Sequence, residues 1–392
     1  MRVSRADRSR VADWWFTVDH VLVGAILAIV GAGLVLSLAA SPAVAIKKGL
    51  PTYYFVERHL FFSALGVLVM LTVSLFSPRG VRRLALALFV VAIAGMIGVH
   101  FVGPEINGAQ RWLAIGGHSI QPSEFAKPGF VILSAWLFAQ SDTRRDMPAL
   151  PLAILLAVVF AGLLVSEPDV GQTLLVSAVW GALFYLSGQA LLGAGIVGAC
   201  GALGLAFAYM NLAHVQSRIG KFISPTPGDN SQLDRAMRSF SEGGFLGRGP
   251  GEGTIKTALP DAHTDFIFAV VAEEYGVIAC LVLLGLFAFV VMRALIRAAQ
   301  ESDAATRLSI QGLALMFGLQ ALINMGVNVG LLPAKGITLP FVSSGGSSML
   351  AVSITLGMLL ALTRRRPDAA RLRNHPLLPN AVGLQPSGPV RK

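Results

Sequence analysis

Charge is scarce in this sequence. Only 13% of its 392 residues are Asp, Glu, Lys or Arg, about half the share in a soluble domain. That shortage excludes a soluble globular protein, a coiled coil and a disordered chain. Cysteine is scarcer still. Cys200 and Cys280 both fall in apolar runs, so there is no disulfide framework and no Cys/His spacing of the metal-binding kind. No clear internal repeat is present, which weighs against transporter folds built from inverted repeats. Acidic residues are outnumbered, 21 against 31 basic, for a net charge of +10. A basic excess can point to nucleic acid, but here the Lys and Arg follow a different logic, and no nucleic-acid partner is expected.

What the chain does have is apolar length. Apolar residues make up 54% of the sequence and the mean hydropathy is +0.68, which specifies a polytopic membrane protein. Stretches free of acidic and basic residues run 20–46, 59–78, 84–104, 128–141, 147–166, 170–217, 275–292, 308–334 and 336–363. The run 170–217 is too long for one crossing and breaks naturally at Ser187-Gly188-Gln189. The run 128–141 extends back to Ser123 if Glu124 and Lys127 are admitted. The run 275–292 extends back to Phe266 if Glu273 and Glu274 are admitted. The expected fold is all-α, with ten transmembrane helices, both termini cytoplasmic and a large periplasmic loop, about 212–265, between helices 7 and 8.

The positive-inside rule supports that count. Arg2, Arg5, Arg8, Arg10, Arg79, Arg82, Arg83, Arg144, Arg145, Arg293, Arg297 and Arg307 all fall on the inner side, as do the basic residues of the C-terminal tail. The domain reading is a cytoplasmic tail at 1–18, a membrane domain at 19–363 and a disordered cytoplasmic tail at 364–392. Ala43-Val44-Ala45 has the small-residue pattern of a signal-peptidase site. The preceding apolar run is longer than a signal peptide needs, so an uncleaved anchor is expected.

Four segments carry polar residues that a tether does not need. In 104–127, Pro122 and Ser123 start a helix whose first turn holds Glu124. Lys127 lies three residues on, on the same face, so the two can pair at the rim of a polar cavity or serve as cap and snorkelling cation. Arg111-Trp112 is either an interface anchor or a cation beside a flat apolar surface for an amphipathic ligand. In 212–265, glycines cluster at 243–253, where exposed N–H groups can meet an anion. Arg248 and Lys256 beside them suit a phosphate-bearing ligand. Next, Leu259-Pro260-Asp261-Ala262-His263-Thr264-Asp265-Phe266 leads into a helix with Glu273 and Glu274 in its apolar run. Ionisable groups at membrane depth are functional candidates. Asp265 and Glu273 lie roughly 80° apart around that helix, so they are expected to share a cavity. Finally, 333–348 gathers Pro, Gly and hydroxyls, Ser343 and Ser344 among them. This is either close packing or a helix end facing an anion. Asn324 and Asn328, one turn apart, are candidates for the same cavity.

Three of these motifs together resemble the SEDS family of bacterial membrane glycosyltransferases. They are Arg111-Trp112-Leu113 followed by Q-P-S-E-F-A-K at 121–127, L-P-D-A-H-T-D-F-I-F-A leading to E-E-Y-G at 259–276, and L-P-F-V-S-S-G-G-S-S at 339–348. The resemblance runs from helix 1 to helix 10. The run G-P-G-E-G-T-I-K-T-A-L-P looks like the cell-division branch more than the elongation branch. The resemblance implies a peptidoglycan glycosyltransferase that polymerises lipid II into glycan strands at the outer face of the cytoplasmic membrane, releasing undecaprenyl diphosphate. It implies a class B penicillin-binding protein as partner, a transpeptidase that cross-links the strands, alongside other division proteins and membrane lipids. It makes Asp265 the essential acid, as base or as ligand of a divalent cation, Mg²⁺ or Mn²⁺, and implicates Glu124 and Lys127. Arg111, Trp112, Gln121, Ser123, Arg248, Lys256, His263, Glu273, Glu274, Ser343 and Ser344 complete the expected substrate-binding set. His263 is expected to orient or pack rather than act as base. One departure stands out: the family often has Tyr where this chain has Ser344. The rival readings are a lipid II flippase, an elongation-type polymerase and a non-catalytic scaffold.

Overall fold

The computed structural model describes residues 9–365, apart from 107–108, 142, 145, most of 190–230, 260 and 334–335. Its helices are α1 (Arg10–Thr17), α2 (His20–Lys47), α3 (Tyr54–Ser74), α4 (Pro78–Val102), α5 (Pro122–Ser141), α6 (Ala149–Ser166), α7 (Val170–Leu186), α8 (Ser231–Gly243), α9 (Ile267–Ala299), α10 (Ala304–Asn328) and α11 (Gly346–Leu362). Two short antiparallel hairpins join α4 to α5. One pairs β1 (Glu105–Ile106) with β2 (Ala109–Gln110), the other β3 (Leu113–Ile115) with β4 (His118–Ile120). They add a small β element to the all-helical expectation. Among the described residues, six helices, α2, α3, α4, α6, α9 and α10, are long and apolar enough to cross a membrane, and α7 and α11 are shorter apolar helices. The seventh expected span, 190–217, lies outside the described residues.

Local chemistry fixes the helix starts. Asp19 Oδ1 accepts the N–H groups of Val21 and Leu22, both at 3.2 Å, at the head of α2. Ser77 Oγ accepts from Gly80 N–H with Pro78 in the first turn, so α4 starts ahead of its charge-free run and takes in Arg79, Arg82 and Arg83. The break expected after 186 is present: α7 ends at Leu186, and Gly188 turns the chain with φ +81°. α2 runs unbroken through 43–45, so the signal-peptidase-like triplet sits within a helix. Residues 336–345, expected to open the last helix, are instead an irregular segment ahead of α11.

α5 is the central element. It packs against α4, α6, α7, α10 and α11, and most of its surface is buried. Between α4, α5 and α6 the rings of Phe89, Phe130 and Phe160 stack at 5.1–6.4 Å. In lipid, helices associate through close packing rather than water exclusion. At Gly129 the α4 backbone comes so near that an added Cβ would lie 2.6 Å from the Ala85 carbonyl.

Ion pairs close one end of the bundle. Asp19 accepts from Arg293 at 2.9 Å and Arg297 at 2.6 Å, tying the start of α2 to the tail of α9. Arg364, just past α11, donates to Asp13 at 2.6 Å and Thr17 Oγ1 at 2.9 Å. The opposite end carries the hairpins, the α6–α7 turn, the 244–266 segment and the approach to α11. These converge on one cavity.

Candidate active site

The cavity has a volume of about 460 Å³. Of the residues singled out from sequence, Arg111, Trp112, Gln121, Glu124, His263, Asp265 and Ser344 line it. They come from the hairpin segment, the head of α5, the turn before α9 and the approach to α11. Residues remote in sequence are thus gathered into one site.

Asp265 sits at the end of the 261–266 turn. Asn324 and Asn328, stacked on α10, both donate from Nδ2 to its backbone carbonyl, at 3.0 and 2.9 Å. Asn328 Oδ1 also accepts the Ala269 N–H at 3.1 Å. The turn is held from a second side. Ser343 Oγ donates to the Thr264 carbonyl at 2.6 Å, and Ser344 N–H donates to the His263 carbonyl at 2.9 Å. The hydroxyls near α11 therefore clamp the acidic turn, with Ser343 behind the wall and Ser344 on it. The Ser344 hydroxyl also approaches His59 Nδ1 at 3.4 Å. The His263 ring lies against Phe55, centroids 4.5 Å apart. Burial pushes His263 down to about 4, helped by the positive charges of Lys48 and Arg58, so it is neutral near pH 7.

Glu124 and Lys127 are a buried pair with a 2.8 Å bond. Gln172 Nε2 also donates to Glu124 Oε1 at 2.7 Å. Lys127 Nζ further donates to Gln172 Oε1 at 3.1 Å and Gln320 Oε1 at 3.3 Å. Lys127 lies behind the wall, holding Glu124 at the cavity. Ser123 is buried and lies off the lining. Arg111 donates to the Glu167 carbonyl at 2.8 Å and to the Pro168 carbonyl, and lies 3.7 Å from Asp169 Oδ2. Gln121 Nε2 donates to Asp169 Oδ2 at 3.3 Å. Burial pushes Asp169 up, partly offset by Arg111. Burial, reinforced by Asp169, pushes Glu167 up to about 8.

Four expected site residues lie elsewhere. α9 breaks at Gly276, whose backbone is φ +78°, ψ 177°. The break exposes backbone groups that lipid cannot satisfy. The glycine-rich segment satisfies them: Val277 and Ile278 donate to the carbonyls of Gly244 and Phe245, while Arg248 and Gly249 donate to those of Glu273 and Glu274. Glu273 accepts from the N–H groups of Ile255 at 2.7 Å and Lys256 at 3.0 Å. Glu274 accepts from Gly251 N–H at 3.0 Å and pairs with Lys256. Glycine is needed because a Cβ on Gly247 would stand 2.2 Å from the Glu274 carbonyl. The anion held by this loop is thus the chain's own. Glu273 does not share the cavity of Asp265, and Lys256 is buried in the clamp. Arg248 pairs with Glu242 on the surface.

Sequence reasoning missed Arg58, His59 and Asp169, all lining the cavity. Arg58 and His59 stood at the edge of an apolar run, and Asp169 in a three-residue connection, so each read as span punctuation. The only local signal was a pair of ionisable groups directly at a span end. Among the described residues, no group of three or more His, Cys, Asp or Glu is placed to hold a metal ion.

The family of cell cycle proteins that includes FtsW, RodA and SpoVE matches residues 20–367. A relative from Caulobacter vibrioides, a probable peptidoglycan glycosyltransferase FtsW, is 44% identical, over 93% of this chain and 94% of its own. A probable peptidoglycan glycosyltransferase FtsW from Trichlorobacter lovleyi is 34% identical, over 88% and 93%. Among solved structures, a chain from a peptidoglycan synthase complex that coordinates polymerization and crosslinking superposes with TM-score 0.72 and 30% identity, over 88% of this chain and 97% of its own. Thermus thermophilus rod-shape determining protein RodA gives TM-score 0.63 and 27% identity, over 89% and 97%.

Proposed function

Starting from the fact that this chain belongs to the FtsW/RodA/SpoVE family of cell cycle proteins, we propose that it is a peptidoglycan glycosyltransferase, polymerising lipid II into glycan strands and releasing undecaprenyl diphosphate. The relatives' activity supports this reading, and so does one observation in particular. Asp265 stands on the wall of a polar cavity, on a turn clamped by Asn324, Asn328 and Ser343. That clamping supplies the preorganisation that general base catalysis needs.

In the reaction, Asp265 takes the proton of the acceptor sugar hydroxyl. The freed oxygen forms the glycosidic bond as the bond between the donor's anomeric carbon and its phosphate oxygen breaks. Glu124, held by Lys127 and Gln172, presents an acceptor for sugar hydroxyls across the cavity. The apolar helix surfaces leave the polyprenyl tail in lipid while the head group occupies the cavity. Asp265 would be the residue to hold a divalent cation, Mg²⁺ or Mn²⁺, since among the described residues no cluster of three or more His, Cys, Asp or Glu builds a cage for one. Bound there, it would neutralise charge on the leaving diphosphate.

The topology we assign is ten spans, with tails 1–18 and 364–392 in the cytoplasm, the membrane domain at 19–363 and the cavity at the outer face. The arginines of the opposite end favour the cytoplasm. The resemblance to the cell-division branch and the FtsW relatives favour septal wall synthesis. The likeness to a chain from a synthase complex supports a cross-linking partner, a class B penicillin-binding protein. The flippase reading drew on Glu273 and Glu274 as intramembrane carboxylates. Both are consumed in clamping the loop, which removes its main support.

The test uses purified protein with its transpeptidase-inactivated partner, fluorescent lipid II and Mg²⁺ or Mn²⁺. Wild type is expected to give a glycan ladder on a gel, and folded Asp265→Asn none. No ladder from a folded wild-type complex would sink the assignment. A ladder unchanged by Asp265→Asn would remove Asp265 as the base.

A further inference from the structure

Gln320, Asn324 and Asn328 stand about one turn apart on α10, share a face and are all buried. A buried amide among apolar helices is costly unless it is bonded. Asn324 and Asn328 both donate to the Asp265 carbonyl, and Asn324 also donates to the Ile337 carbonyl at 2.7 Å. Gln320 is bonded on two sides. Its Oε1 accepts from Lys127 Nζ at 3.3 Å, and its Nε2 donates to the Thr338 carbonyl at 3.2 Å. Lys127 holds Glu124, which lines the cavity, and Thr338 lines it from the segment ahead of α11. Gln320 itself stands behind both, off the lining.

The segment that Gln320 holds is also the one that clamps the acidic turn. One residue beyond Thr338, the Leu339 N–H donates to Ser343 Oγ at 2.8 Å, and Ser343 Oγ donates to the Thr264 carbonyl. Hydrogen bonds therefore run from Glu124 through Lys127 and Gln320 to the 338–343 segment, and from there to the turn that carries Asp265. Glutamine is the chemistry this junction needs. One side presents an ammonium, which requires an acceptor, and the other a carbonyl, which requires a donor. A single amide meets both in one orientation. A carboxylate would only accept, and a lysine or arginine would only donate.

We propose that Gln320 is a positioning residue for glycosyl transfer, which sets Glu124 against Asp265 by holding Lys127 and the 338–343 segment together. The proposal rests on the glycosyltransferase reading and adds what aligns its two carboxylates. They come from different elements, the head of α5 and the 261–266 turn, so neither element fixes their separation. A misplacement of about 1 Å at a reacting centre can cost about a hundredfold in rate. The face of α10 supplies the common reference. Asn324 and Asn328 fix the backbone of Asp265, and Gln320 fixes the cation that holds Glu124.

The test compares wild type with Gln320→Met, Gln320→Asn, Lys127→Met and the double variant Gln320→Met/Lys127→Met. Each is the full-length protein with its transpeptidase-inactivated partner. Melting curves give the folded fraction, and initial rates against lipid II give kcat and KM. Gln320→Met removes both bonds at similar volume. Its kcat is expected to fall by about tenfold or more, with KM within about twofold of wild type. Gln320→Asn keeps the amide but is one methylene too short to span both partners, so its kcat should fall as well. It also carries the test if the methionine variant does not fold. Adding Gln320→Met to Lys127→Met should cost less than about threefold further, because both act on Glu124. A folded Gln320→Met or Gln320→Asn with wild-type kcat overturns the role. So does a loss confined to KM, or losses that multiply in the double variant. A wild-type ladder beside unimpaired variants ends the role of Gln320 and spares the enzyme. No ladder from a folded wild-type complex ends the enzyme reading and the positioning role with it.

Discussion

The molecule contains two buried Lys–Glu pairs of the same chemistry, and they do different work. Lys256 and Glu274 lie at the break in α9, where every donor of the lysine and every oxygen of the glutamate is used inside the clamp. Lys127 and Glu124 lie at the head of α5. There Glu124 reaches the cavity, and its Oε2 makes no hydrogen bond among the described residues. One pair is closed and holds backbone; the other leaves one buried carboxylate oxygen unbonded among the described residues, on a side chain that lines the cavity. Charge and burial are nearly alike, so what separates them is what surrounds the carboxylate.

Breaking each pair should sharpen that difference. Lys256→Met leaves Glu274 buried without its cation and the carbonyls of Ala39 and Gly251 without a donor. A loss of about 3–5 kcal/mol is expected, read as a large drop in melting temperature. In Lys127→Met, Glu124 keeps Gln172, so a loss of about 1–3 kcal/mol is expected. Turnover per folded molecule should still fall by about tenfold or more. Equal melting losses with normal turnover for Lys127→Met would make the second pair another clamp.

Asn328→Ala tests whether the turn beside α10 is positioned as the second pair is. It removes one of the two donors to the Asp265 carbonyl and the acceptor for Ala269 N–H. Stability should fall by about 1–2 kcal/mol. Polymerisation kinetics should show kcat reduced more than KM for lipid II, whereas a purely structural role would leave both intact in the folded fraction.

Glu167 extends the comparison to a buried acid that no lysine neutralises. Its side-chain oxygens make no hydrogen bond among the described residues, and burial holds it at about 8 against an ordinary 4.5. The folded state therefore binds a proton more tightly than the unfolded state. The stability this gives is complete below pH 4.5 and is lost as pH rises through about 8. Glu167→Gln should flatten the fall in melting temperature between about pH 4.5 and about pH 8. An unchanged slope would show that Glu167 is charged in the fold.

Arg248→Ala is expected to do least. Its pair with Glu242 is half in solvent, side chains 35% and 50% exposed, and such pairs contribute below about 1 kcal/mol. Thermal melts and polymerisation should both stay near wild type. A large loss of polymerisation would return Arg248 to the substrate.

Much of the fold was legible because membrane helices announce themselves through apolar length and the placement of Arg. The break at Gly188, the helix start at Pro122 and the i, i+3 pairing of Glu124 with Lys127 were all visible in the spacing. The cavity was legible in part. Asp265, Glu124, Arg111 and His263 came from polar residues at span ends. Arg58 and Asp169 sat at span ends too, but nothing in one dimension marks which ends converge. The glycine-rich segment misled for a physical reason. Exposed N–H groups and adjacent cations are what an anion site needs, and a carboxylate of the same chain meets that need as well as a phosphate does.

The sequence by itself determined the class of protein, the helices that composition can mark, the family and the acid at position 265. Those depend on local quantities: hydropathy over a window, charge at a span end, a motif. Tertiary structure alone decided which charges oppose one another. It placed Glu273 and Glu274 under a loop and Glu124 at a cavity, and it committed Arg111 while leaving Arg58 without an ion pair among the described residues. Coulomb and hydrogen-bond energies in a low-dielectric interior change steeply over a few ångströms, and those separations exist only once the helices have packed.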